Sequence, residues 1–348
     1  MKNNLTKEEL YNKISVISFF LSILIMSIHC YNVHIYGLQE AEDGLSRAVL
    51  HFETCANKLE AVCVPMFYAV SGYLFFRDFT WRGLPGKWKR RVFTLVIPYI
   101  LWCTLSYLFY VAASFIPPVA KRINSESTPL PEISLSSWLS CIRNSTYTPL
   151  WFVKSLIILT VLAPVVWLLF RNHIRRFPSG LILLVISFLI KEGVLKLKIP
   201  YNVTNYFIGA YIGLNHPALP LIRNKRLCVP AAAGIVLVVL SVFLGFPQDT
   251  ELRNVILMLL IWVAADMVSY EEEIKWFFGI SFFLYCAHLI PLTIADKLFL
   301  ILFGKGAVQA FISYVMNPVL ITLILIFIAW FLRKYTPFVW RLLTGARG

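Results

Sequence analysis

Three groups of side chains have types and spacings suited to chemistry. His29 lies in an apolar stretch, LSILIMSIHCYN, and Ser18, Ser22 and His29 follow one another at spacings of four and seven, which puts them on one helical stripe. Polar groups inside a membrane are costly unless they face a cavity or a partner, so His29 is a functional candidate; the alternative is a histidine at the outer interface, bonded to a neighbouring helix. An imidazole with its ordinary pKa near 6.5 is ready to take a proton at ambient pH. Next, Arg77, Arg82, Lys87, Lys89, Arg90 and Arg91 crowd a short loop with a single acid, Asp78, and Pro85 and Gly86 bend its backbone. Such a loop cups phosphates, attracts anionic lipid, or only resists translocation and so stays in the cytoplasm. Finally, Ser281, Tyr285 and His288 recur at i, i+4 and i+7 as a second polar stripe. Trp151 and Lys154 open another apolar stretch abruptly, where they border a cavity or where the lysine snorkels to the interface beside the aromatic ring.

Apolar helices must carry all of these. Of 348 residues 59% are hydrophobic and only 14% charged, and the mean hydropathy is +0.72, outside the globular range. Segments of about 20 apolar residues, enough to cross a hydrocarbon core of ~30 Å, recur along the chain. They predict an all-α, polytopic membrane bundle of about ten helices: Asn12–Val33, Leu59–Phe76, Val92–Ser114, one beginning at Pro149, Ser179–Ile190, Tyr201–Leu214, Leu227–Phe246, Leu252–Tyr270, Phe277–Ala295 and Phe311–Leu332. His34–Lys58 and Phe115–Pro149 are expected as long outer loops, and the basic loop sets both termini in the cytoplasm. The whole chain, 1–348, is expected to be one membrane-embedded domain.

The formal charge of +14 invites a nucleic-acid reading, but the cations fall in short loops between apolar helices, so nucleic acid is not an expected partner. The first apolar segment follows Lys2, Lys7 and Lys13 as a signal peptide would, without a small-residue cleavage site, and is kept as a helix. Of seven cysteines, Cys63, Cys103, Cys228 and Cys286 sit in apolar segments; Cys55 and Cys141, in the outer loops, leave a disulfide open. No metal motif or P-loop occurs, so no metal and no tightly bound cofactor are expected. Gly209 and Gly213 form a GxxxG spacing that lets helices approach closely.

Several stretches together resemble the acyltransferase 3 family, membrane proteins that acylate extracytoplasmic glycans and related polymers. They are LIMSIHCYN, PMFYAVSGYLFF, KWKRRVFTLVIPYILW, PLWFVKSLIILTVLAP and ISFFLYCAHLIPL, and their order covers nearly the whole chain. The resemblance implies that His29 corresponds to the family's helix 1 histidine and Lys87 to Arg91 to its cytoplasmic basic motif at the donor side. It also implies that Phe282, Tyr285 and His288 correspond to an FxxYxxH-like pattern. The chain departs from the family where many members have an arginine eleven residues before the histidine, here Ser18, and an acid soon after the WF pair, here Lys154 and Ser155.

From this resemblance we expect a multi-pass protein of the bacterial plasma (inner) membrane that moves an acyl group, acetyl above all, from cytoplasmic acyl-CoA to a hydroxyl of a glycan or similar envelope acceptor. His29 is the expected catalytic base and Lys87, Lys89, Arg90 and Arg91 the donor anchor; Trp151, Lys154, Ser281, Tyr285 and His288 are expected at the acceptor or along the cavity. Membrane lipid, acyl-CoA and the acceptor are the expected partners. Two other classes fit a polytopic chain with scattered polar residues: a transporter or flippase for a glycan or lipid-linked intermediate, and a structural partner in polysaccharide assembly.

Overall fold

Helix starts follow local chemistry. The computed structural model describes residues 4–123, 129–171, 203–271 and 274–346. The expected helix Ser179–Ile190 lies outside these residues, as do Arg175, Arg176, Asn202, Glu272 and Glu273. The first helix, α1 (Lys7–His29), opens with a capping box: the Thr6 hydroxyl accepts from Glu9 N at 3.2 Å, and the Glu9 carboxylate accepts from Thr6 N at 2.5 Å. Among the described residues every regular element is helical.

The polar stretch expected as an outer loop is instead largely helix α2 (Gly44–Glu60), capped by Asp43, whose carboxylate accepts from Ser46 N at 2.9 Å. It leads into α3 (Cys63–Phe76). The basic stretch is also not a loop. It forms α4 (Leu84–Arg91), which starts with Pro85 in its first turn, where a missing N–H leaves no bond unmade. A π-helical turn, Val92–Val96, joins α4 to α5 (Ile97–Ser114), so helical backbone runs for 31 residues. Pro98 accounts for the π-turn, because it has no N–H to offer the Thr94 carbonyl. Short helices α6 (Pro117–Ile123) and α7 (Leu135–Asn144) occupy the second expected loop.

Prolines also bend what the sequence reads as straight spans. Helices α8 (Trp151–Val161) and α9 (Ala163–Phe170) meet at 62°; Pro164 frees the Thr160 carbonyl, which accepts from Trp88 Nε1 of α4 at 2.8 Å. Then follow α10 (Val203–Asn215), α11 (Cys228–Phe243) and α12 (Thr250–Ala264). The expected helix Phe277–Ala295 breaks at His288 into α13 (Ser281–Ala287) and α14 (Leu289–Phe303), 72° apart, with Pro291 in the first turn of the second. The chain closes with α15 (Ala307–Tyr335) and α16 (Pro337–Thr344). Among the described residues five helical runs are long and apolar enough to cross a membrane, or seven if each bent pair is one span.

Two contacts fix the helices around the site. On α3 and α10, Gly72, Gly209 and Gly213 face backbone with no room for a side chain: a Cβ on Gly213 would stand 2.8 Å from the Tyr73 carbonyl oxygen and 2.9 Å from Arg77 N. Lys13, wholly buried in α1, forms a 2.6 Å ion pair with buried Asp266 just past α12, and its ammonium lies 4.3 Å from the Trp262 ring centroid. The disulfide left open between Cys55 and Cys141 is not formed: both thiols are free, buried on different helices, Cys55 beside the Val242 carbonyl and Cys141 beside that of Cys103.

Candidate functional site

The two polar stripes face each other. Ser22 Oγ, on α1, donates to the Ser281 carbonyl oxygen at 3.2 Å, and at the far end of α1 the His29 ring lies 5.2 Å, centroid to centroid, from His288. Helical period keeps the polar residues of each stripe on one face, and the two imidazoles, tilted by 40° to each other, stand at the end of the shared seam. His29 is exposed, whereas His288 is fully buried at the elbow between α13 and α14, its Nδ1 2.9 Å from the Tyr285 carbonyl and 3.1 Å from that of Leu284.

At the other end of the seam lies a cavity of about 250 Å³. Ser18, Ser71, Arg91, Ser281 and Tyr285 give it a polar lining within walls of Phe67, Leu95, Phe152 and other apolar residues. Ser18 stands where the family resemblance leads one to look for an arginine, and among the described residues the cation lining this cavity comes from α4: Arg91. Tyr285 donates its hydroxyl proton to the Pro149 carbonyl, tying α13 to the entrance of α8. Its ring centroid is 6.2 Å from that of His288. Arg91, Ser281 and Tyr285 thus share the cavity, and Tyr285, His288 and His29 follow one another toward the end of α1 at centroid spacings of 6.2 and 5.2 Å.

Because the basic stretch is helical, its cations divide. Lys87 and Arg91, four apart, share the face turned to Phe75, 5.3 Å and 5.4 Å from its centroid, and the Lys87 ammonium donates to the Phe75 carbonyl at 2.5 Å. Lys89 and Arg90 point outward and are exposed. Trp151 is exposed, and Lys154 donates to the Arg143 carbonyl at 2.6 Å, holding α8 against the end of α7; neither lines the cavity. His29 does not line it either and is reached through Tyr285 and His288.

Sequence reasoning missed a buried acidic group beside the end of α1. Asp296 of α14 accepts from Asn317 Nδ2 at 2.5 Å and Ser313 Oγ at 3.3 Å; both carboxylate oxygens of Glu60 lie 3.0 Å from the Tyr314 hydroxyl; and Glu53 Oε2 lies 3.4 Å from Asn32 N. Burial and the nearby Asp296 push the phenol of Tyr36, between α1 and α2, above its ordinary range. The available signal was an acid inside an apolar run, IADKLF for Asp296, and Glu60 at the edge of an expected span. Among the described residues no three His, Cys, Asp or Glu groups are arranged to hold a metal ion.

A family model described as an acyltransferase domain matches residues 12–334, so the match takes in both stripes, the basic helix and the cavity. No curated protein and no solved structure matches the chain.

Proposed function

The chain belongs to the acyltransferase 3 family, and on that premise we propose that it is a membrane-bound O-acyltransferase carrying an acetyl or similar acyl group from cytoplasmic acyl-CoA to a hydroxyl of an extracytoplasmic glycan or related envelope acceptor. The supporting observation is the row that begins with Arg91 in the cavity and ends with His29. In this reading Lys87, Lys89, Arg90 and Arg91 take the phosphates of the donor, with Arg91 drawing the thioester end toward the cavity. The membrane is the bacterial inner membrane, with the His29 end of α1 outward.

A thioester is already activated, so the chain has to hold it and deprotonate the attacking hydroxyl. His29 takes the hydroxyl proton as the oxygen bonds to the thioester carbonyl carbon. The carbon–sulfur bond then breaks, and His29 returns the proton to the departing sulfur, leaving an ester and free coenzyme A thiol. Ser281 and Tyr285 supply polar surface along the path of the acyl group.

Purified protein incubated with radiolabelled acetyl-CoA and a crude glycan extract tests the reading. The expected result is label in glycan with the wild-type chain, and a 10²- to 10⁴-fold slower transfer with His29→Gln at equal protein in the membrane, since Gln bonds as an amide but takes no proton. A Gln variant at the wild-type rate removes His29 from the chemistry. No transfer by the wild-type chain turns the reading toward transport or a structural role.

A further inference from the structure

His288 carries an unanswered hydrogen-bonding group. Its Nδ1 sits within hydrogen-bond distance of two carbonyl oxygens, Leu284 at 3.1 Å and Tyr285 at 2.9 Å. Carbonyl oxygens only accept, so Nδ1 holds the hydrogen and, in the neutral ring, Nε2 holds the lone pair. That Nε2 is buried and has no hydrogen-bond partner among the described residues. Buried acceptors left without a donor are uncommon and call for an explanation.

The explanation stands next to it. The His29 and His288 centroids are 5.2 Å apart; no hydrogen bond joins the rings in this structure, but that separation lets a turn of the exposed His29 side chain bring one of its N–H groups to Nε2. The two rings differ in freedom. His288 is pinned by its carbonyls at the elbow between α13 and α14, whereas His29 is the exposed last residue of α1. We propose that His288 is a positioning residue for His29: its Nε2 accepts a hydrogen bond from one His29 N–H, so that the other His29 nitrogen keeps its lone pair and is aimed at the acceptor hydroxyl. When His29 takes the hydroxyl proton, its second N–H remains held by His288, which spreads the new charge over a bond already made. The proton itself still passes from hydroxyl to His29 to sulfur, and His288 neither gains nor loses one. This inference rests on the reading of His29 as the base.

Two substitutions at position 288 separate orientation from packing. Asn keeps an amide N–H near the Nδ1 position and has nothing at Nε2; Gln places its amide near Nε2. With labelled acetyl-CoA and the glycan extract, His288→Asn should lower kcat between tenfold and 10⁴-fold while the KM for acetyl-CoA stays unchanged, and His288→Gln should recover at least part of the loss. A wild-type kcat in the Asn variant overturns the proposal. So does an equal loss in both variants accompanied by a lower melting temperature, which assigns His288 to packing. If the Asn variant does not accumulate in the membrane, the Gln variant alone decides: a kcat within tenfold of wild type supports the proposal and a larger loss overturns it. His29→Gln in the same assay keeps the two ideas apart. Full activity there sinks the base itself, whereas an inactive His29→Gln beside a fully active His288→Asn sinks only the pairing.

Discussion

Replacing Gly209 with Ala adds one methyl group where α10 meets α3, and the structure gives it no space. The new Cβ would overlap the Ala69 carbonyl oxygen and stand 2.7 Å from the Ala69 carbonyl carbon and 2.9 Å from Tyr73 N, all backbone atoms that no rotamer change can move. Ordinary carbon contacts lie at about 3.5–4.0 Å and the Ala69 carbonyl oxygen falls far inside that, so the two helices must part by more than about 1 Å. Overpacking of this kind costs about 1–3 kcal/mol, and more where backbone meets backbone. The displacement also reaches the site, since α3 contributes Val70, Ser71 and Leu74 to the cavity that holds Arg91 and Tyr285. A misplacement of ~1 Å can slow a reaction by about 10²-fold, so acyl transfer should fall by up to that factor. Gly86→Ala provides the control: nothing lies within 4 Å of its Cβ position in α4, and the same change there should stabilise the helix by about 0.5–1 kcal/mol. Thermal unfolding in detergent and acetyl transfer to glycan are measured on both variants. A Gly209→Ala protein that melts at or above the Gly86→Ala protein, with unchanged transfer, refutes the close contact and the reasoning built on it.

Removing one partner of a buried ion pair strands the other, so Lys13→Met should destabilise the protein by about 3–5 kcal/mol in denaturant titration, and Lys13→Met with Asp266→Leu should regain most of it; a double variant no better than the single one would show that the pair is not what joins α1 to Asp266. Because Arg91 lines the cavity and Arg90 is exposed, calorimetry with a non-hydrolysable acetyl-CoA analogue should find binding weakened about tenfold or more by Arg91→Ala and less by Arg90→Ala. Equal losses would return the basic helix to a surface role.

Much of the fold was open to reading because apolar length and period are local properties. The run ending at His29 and the run through Ser281, Tyr285 and His288 each declared a polar face, and GxxxG at Gly209 and Gly213 declared a close approach. Hydropathy was a poorer guide where a helix is amphipathic rather than apolar. Gly44–Glu60 buries Val49, Glu53 and Glu60 on one side, yet its average is too polar to look like a span. Pro85 and Gly86 suggested a bend, but Pro85 falls in the first turn of α4, where proline is at home.

The sequence by itself determined which residues share a helical face and to which family the chain belongs. Only the tertiary structure decided which face meets which: that Ser22 reaches Ser281, that His29 stands against His288, that Arg91 turns into the cavity beside Ser18 while Arg90 turns out, and that Glu60 meets Tyr314. The physical reason is that helical period fixes angles about one axis, whereas partners across axes are set by how closely two backbones approach, here by glycines on α3 and α10, and by the bends at Leu162 and His288 that swing distant segments together.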